Sequence, residues 1–234
     1  MPPPALKPID AASIVLPPSI IFNRSGFGSA LEDHLFADHA ALADLRPTQV
    51  AVGLRAVEAK RRKIERRFST KRKMRRFLEK RPVPVILGPD DDYYMIDHHH
   101  LCLALWQHEV DEVAIRVVSD LSDLPRRKFF RSMLALGWLH PFDPQGQRVC
   151  PTELPSSIDQ LRADPYRDLA WSVRQAGGFK KAQIPFVEFA WAKYFRLNIP
   201  ETLIIRDFDL AHDWALELAR SDAARRLPGF VLKN

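Results

Sequence analysis

The spacing of apolar positions changes along the chain, and each change marks an element. From Val52 to Leu78, the residues Val52, Ala56, Ala59, Ile64, Phe68, Met74 and Phe77 recur loosely at helical spacing. This predicts one long helix, capped by Thr48 and ended by Pro82 and Pro84. Just before it, Leu45-Arg46-Pro47-Thr48-Gln49-Val50 reads as a short extended segment with a turn at Pro47. Val83-Pro84-Val85-Ile86-Leu87 is then a compact apolar strand. Gly88-Pro89-Asp90-Asp91-Asp92 carries turn chemistry, and Tyr93-Tyr94-Met95-Ile96 returns, so the two runs predict a hairpin. Asp97 closes the second strand, His98 opens a helix, and residues 113–118 form a third strand. Strand, strand, helix, strand is the order of a mixed sheet with helices packed on it.

Beyond Leu124 the period is helical. Phe129, Met133, Leu136 and Leu139 share one face. A loop rich in proline and glycine spans 141–155, and helices are expected near 156–163 and 166–175. Gly177-Gly178 breaks the chain, Pro185 opens another helix, and a last one covers roughly 207–227. Residues 1–40 are rich in proline and lack periodicity, apart from a capping-box pattern at Ser29–Glu32. The expected organisation is an arm at 1–40, a core at 41–124 and a helical region at 125–234, in an α+β fold.

Composition narrows the partners. The chain has 234 residues, 46% hydrophobic and 27% charged, which excludes wholesale disorder. The net charge of +6 favours anions. The two cysteines, Cys102 and Cys150, form no Cys-x-x-Cys pair, so a thiolate zinc knuckle is excluded and two thiols in a reducing compartment are expected. The N-terminus lacks the basic start and apolar run of a signal peptide. No stretch approaches the roughly 20 apolar residues of a membrane span. The expectation is a cytoplasmic protein with no membrane partner.

Candidate chemistry centres on Asp97-His98-His99-His100. A helix start carries partial positive charge and amides that bind phosphate. Histidine adds donors and, near its ordinary pKa of about 6.5, a cation. Asp97 could orient a histidine, take a proton or hold a magnesium ion, or simply cap the helix. Successive helical residues point about 100° apart, so at most two of the histidines can face one site. Lys180 and Lys181 follow Gly177-Gly178, where they either neutralise phosphate or are solvated. Arg167, in Asp-Pro-Tyr-Arg-Asp, could clamp a carboxylate or phosphate, or belong to a turn. Glu188, among aromatics, is either a base or the partner of a buried donor. Glu58 is a further candidate acid or base.

Residues 60–81 hold more than a third of the 35 lysines and arginines. This makes a local positive field, either a docking surface for DNA or RNA or a solvated helix face. Lys71, Arg72, Lys73, Arg75 and Arg76 are its candidate phosphate contacts.

The run VPVILGPDDDYYMIDHHHLCLAL resembles the core of the ParB/sulfiredoxin-like superfamily, which also holds the N-terminal domains of ParB and a free-serine kinase family. With LRPTQVAVGL, LPSSIDQLRADPYRDLAW, AGGFKK and PFVEFAWAKYFR, it is similar to a narrower group, the ParB-like nucleases, over about residues 44–197. The resemblance implies a small mixed sheet with packed helices, a helical C-terminal region, and a nucleotide phosphate at the strand-to-helix motif. CTP-binding ParB proteins carry a glycine, an acidic residue and two arginines there. This chain has Asp97, His98, His99 and His100, closer to the serine-kinase relatives. The functional expectation is binding of ATP, ADP or CTP with Mg2+, and phosphoryl transfer or hydrolysis of a nucleotide or phosphodiester. Asp97 and His99 would be catalytic with Glu58, while His98, His99, His100, Lys180 and Arg167 would hold phosphate and Asp97 the metal. The alternative is a non-catalytic, partition-like nucleic-acid module using residues 60–81.

Overall fold

The computed structural model describes residues 8–11, 37–68, 70–182 and 184–231. Most of the expected N-terminal arm, with its capping-box pattern at 29–32, lies outside these residues. The chain divides into two compact units. One comprises residues 22–162, and the other residues 163–234 with 1–21. Residues 125–162 thus belong with the sheet.

The first unit is built on a five-stranded sheet. Its strands are β1 (Ala37–Ala41), β2 (Leu45–Pro47), β4 (Val83–Leu87), β5 (Tyr93–Met95) and β6 (Glu112–Asp120), in the order β1-β6-β4-β5-β2. A two-residue strand, β3 (Ala51–Val52), lies outside this sheet. The expected hairpin is present: β4 and β5 pair antiparallel, with Val85 opposite Met95. Its turn is tight. A Cβ on Gly88 would come within 2.6 Å of the Tyr94 ring and 2.9 Å of Phe129, so only glycine fits. β6 runs parallel to β4 and antiparallel to β1, and β2 runs parallel to β5.

The two-residue period of the strands sorts side chains to opposite faces. Val83, Val85 and Met95 join α1 (Leu54–Arg67) and α3 (His99–Trp106) in one core cluster. Ile86 and Tyr94 join α4 (Arg126–Ala135) in another, where Phe129 and Met133 are fully buried. Helices therefore cover both faces, and α3 is apolar nearly all round because it is buried nearly all round. Burying a side chain such as Phe129 contributes roughly 1.5–3 kcal/mol.

The expected single helix over 52–78 is two. α1 ends at Arg67, and α2 (Lys71–Glu79) begins after Thr70, whose hydroxyl accepts from the Lys73 amide at 3.3 Å. The break has a local cause: a threonine followed by helix formers is itself an N-cap, and it competes with helix continuation. Thr48 does not cap α1; Gly53 holds that position. The helix expected near 156–163 is a single 3-10 turn at Ile158–Gln160.

The second unit is helical: α5 (Pro165–Gln175), α6 (Val187–Asn198), α7 (Glu201–Arg206) and α8 (Phe208–Ala219). The expected last helix over 207–227 stops at Ala219 and is followed by a 3-10 turn. Its core stacks Phe179 on Trp191 at 4.3 Å, with Tyr194 and Phe195 alongside. No helix among the described residues is long and apolar enough to cross a membrane.

Candidate functional site

β5 ends at Met95 and delivers the chain into a sharp turn. His98 has φ 71° and ψ 12°, a left-handed conformation that glycine adopts freely and histidine seldom does. The turn is held by its own side chain. Asp97 Oδ1 accepts the His98 amide at 2.6 Å, and Oδ2 lies 3.6 Å from His98 Nδ1. The Asp97 side chain remains 77% exposed. Partial desolvation raises its pKa, but the His98 side chain and amide outweigh this. Asp97 therefore ionises well below the usual carboxylate range.

α3 starts directly after this turn. Its first helical bond runs from the Cys102 amide to His98 O at 2.8 Å, so the amides of residues 99–101 lie ahead of the ladder. The three histidines take three environments. His98 is the left-handed cap, with its side chain 30% exposed. His99 is buried, and its Nε2 accepts the Thr48 amide at 3.2 Å. That bond requires a lone pair on Nε2 and places the ring proton on Nδ1. His100 is half-buried on the first turn.

Thr48 is the functional neighbour that sequence reasoning placed elsewhere. It is buried, its hydroxyl donates to Met95 O at 2.8 Å, and its carbonyl accepts the His140 amide at 2.8 Å. One residue thus ties β5, α3 and the loop at His140 together. The signal was present in the Pro47-Thr48 pair, because proline holds the preceding chain extended and a buried hydroxyl needs an acceptor.

The other candidate residues lie elsewhere. Glu58, on α1, accepts from Arg61 and Arg62 at 2.7 Å. Those hydrogen bonds lower its pKa to about 2, which makes it a weak base. Lys71 opens α2, and Arg72, Lys73, Arg75 and Arg76 are exposed along it. Arg167, Lys180 and Glu188 belong to the second unit. Lys180 is exposed, and its amide donates to Gly229 O at 2.7 Å. Glu188 has found partners: Arg174 at 2.7 Å and Arg167 at 3.2 Å. No group of three His, Cys, Asp or Glu residues able to hold a metal occurs among the described residues.

A cleft of about 450 Å³ opens at the opposite end of β5, lined by Asp44, Arg46, Asp91, Asp92 and Tyr93 among others. Three carboxylates against one arginine, which Asp92 engages at 2.7 Å, give it the wrong sign for phosphate.

The family model described as "Putative ParB-like nuclease" matches residues 39–197. The chain belongs to this family. The ParB-like match spans the sheet from within β1 onward, the turn at Asp97–His100 and helices α1 to α5, together with most of α6. Protein Atu1540 from Agrobacterium tumefaciens, known from a crystal structure, is 40% identical to this ParB-like chain with a TM-score of 0.76. The alignment covers 84% of this chain and 98% of that one. No curated protein sequence matches.

Proposed function

We propose that the Asp97–His100 turn binds the phosphate of a nucleoside phosphate and promotes phosphoryl transfer or the hydrolysis of a nucleotide or phosphodiester. The observation that carries this reading is the left-handed His98 at the N-cap of α3, whose amide is held by an exposed, ionised carboxylate, that of Asp97. Those amides and the positive end of the helix suit phosphate oxygens. His98 and His100 would add donors at the helix start. His99 supports the turn from beneath through Thr48.

Asp97, with a depressed pKa, is ionised throughout the neutral range and can orient the attacking hydroxyl or water by accepting its hydrogen bond. The donor set fits magnesium only in part. Asp97 is a hard oxygen ligand, and Mg2+ is commonly held by one or two carboxylates plus substrate phosphates, so Asp97 would hold the ion together with the nucleotide. The ion would supply charge neutralisation at the phosphoryl group. Thermal shift with ATP, ADP and CTP, each with and without Mg2+, tests the reading. Stabilisation by at least one nucleotide is expected, and no response to any of them overturns it.

A second reading rests on the exposed cations of α1 and α2. Arg62, Lys63, Arg66 and Arg67 are exposed on α1, and Arg72, Lys73, Arg75 and Arg76 on α2. Phe68 and Phe77 pack at 4.8 Å beneath Arg67 and Arg81, which fixes part of that surface. It would bind DNA or RNA through backbone phosphates, without base readout.

A further inference from the structure

Arg167 sits on the first turn of α5, in the second unit, and is 4% exposed. Its surroundings are poorly matched to its charge. The N-terminal end of a helix carries partial positive charge, which disfavours a cation there. Burial adds to this and lowers the pKa of the guanidinium, although such a group stays charged. Against these, Arg167 makes one ion pair, from Nη2 to Glu188 Oε2 at 3.2 Å. Glu188 is shared, since its other oxygen accepts from Arg174 Nε at 2.7 Å. Asp164, a buried carboxylate nearby in sequence, is engaged by Arg196 at 2.7 Å and by the Tyr166 amide at 2.9 Å. Asp168 acts on Arg167 through space.

The remaining donors of Arg167 are the decisive feature. Nε and Nη1, which together carry three N–H groups, are shielded from solvent and have no acceptor among the described residues. One face of the guanidinium is covered by the Phe189 ring, with 3.9 Å between the guanidinium carbon and the ring centroid. Buried donors are nearly always satisfied in native proteins, so a set of three on one cation calls for an acceptor. The cover is thin. Phe186, Glu188 and Phe189 are all half-buried, and Phe186 enters α6 in a left-handed conformation at φ 59°.

We propose that Arg167 anchors an oxyanion subsite in the second unit, taking a carboxylate or phosphoryl group on Nε and Nη1 beneath the first turn of α6. Glu188 is then both neighbour and competitor, because a second anion must share the guanidinium with it. This subsite is independent of the turn at Asp97.

Side-chain NMR of the full-length protein tests the proposal. The Arg167 Nε–Hε resonance is followed while inorganic phosphate or acetate is titrated against chloride at matched ionic strength. A saturable shift with phosphate assigns a phosphoryl group, and one with acetate assigns a carboxylate. No shift with either overturns the proposal. Glu188→Gln removes the competing charge and should tighten anion binding severalfold; unchanged or weaker binding also counts against it. The same titration on His98→Gly/His100→Ala separates the two sites, because the Arg167 response should persist there. Its disappearance would show that the anion acts through the Asp97 turn and would overturn an independent subsite.

Discussion

The Thr48 amide donates to Nε2 of His99 across 51 residues of sequence, and both groups are buried. The bond fixes the histidine ring as a neutral acceptor, and it fixes the strand end where Thr48 contacts Met95. His99 is therefore a support for the turn.

Replacing His99 with leucine should leave the Thr48 amide buried without an acceptor. The expected loss of stability is about 1–3 kcal/mol. Urea denaturation measures it. Thr48→Val should cost a similar amount, because Met95 O then loses its hydroxyl donor. Wild-type stability in both variants would mean that this bond does not organise the turn.

His98→Gly separates backbone from side chain. Glycine adopts φ 71° without the Cβ penalty, so stability should hold or rise by up to about 1 kcal/mol. A β-branched residue such as Val at the same position should be clearly destabilising. If glycine also preserves nucleotide affinity, the His98 imidazole is not a phosphate donor and the amides carry the binding.

Asp97→Asn should abolish turnover while leaving nucleotide binding largely in place. The pH dependence has a definite sign. The folded pKa of Asp97 lies below its unfolded value of about 3.9. Its contribution to stability is thus present above pH 4 and is lost as pH falls towards the folded value. Acid titration of Asp97→Asn should show a shallower loss of stability below pH 4 than the wild type. Any acidic limb of activity near neutrality should survive unshifted in Asp97→Glu, since Asp97 is already ionised there. If that limb moves with the Asp97→Glu substitution, the carboxylate titrates near neutrality and the assignment fails.

The cations of α2 should bind polyanions without regard to sequence. Replacing Lys71, Arg72, Lys73, Arg75 and Arg76 with glutamine should weaken DNA binding for every sequence alike. The wild-type slope of log K against log salt is expected to be about −0.9 per phosphate neutralised, and the variant slope should be shallower. Fluorescence anisotropy at several salt concentrations gives both. Absence of binding at low salt removes the second reading, and preference for one sequence contradicts its phosphate-only basis.

The hairpin was legible because two short apolar runs flank the turn residues Gly88-Pro89-Asp90-Asp91-Asp92 and leave few other solutions. The strand-to-helix turn was legible for the same reason, as a change of period at Asp97. The break between α1 and α2 was not, since the helical pattern continues through it and only Thr70 signals a new cap. α7 was missed because six residues give too few turns to show a period. In the site, the residue types were readable, but their division of labour was not. Three consecutive histidines look equivalent in sequence, and only the left-handed backbone at His98 and the Thr48 contact to His99 distinguish them. Glu58 looked like a free carboxylate, yet Arg61 and Arg62, three and four residues on, were positioned to engage it.

Isothermal titration of ATP, ADP and CTP with Mg2+ into the wild type and into His98→Gly/His100→Ala tests the central claim most directly. Both substitutions suit their backbone positions, so the fold should remain intact by circular dichroism. The account predicts measurable binding of at least one nucleotide to the wild type, and a loss of tenfold or more in the double variant. Equal affinity in the two proteins, or no nucleotide binding to the wild type, would contradict a phosphate site at the Asp97–His100 turn.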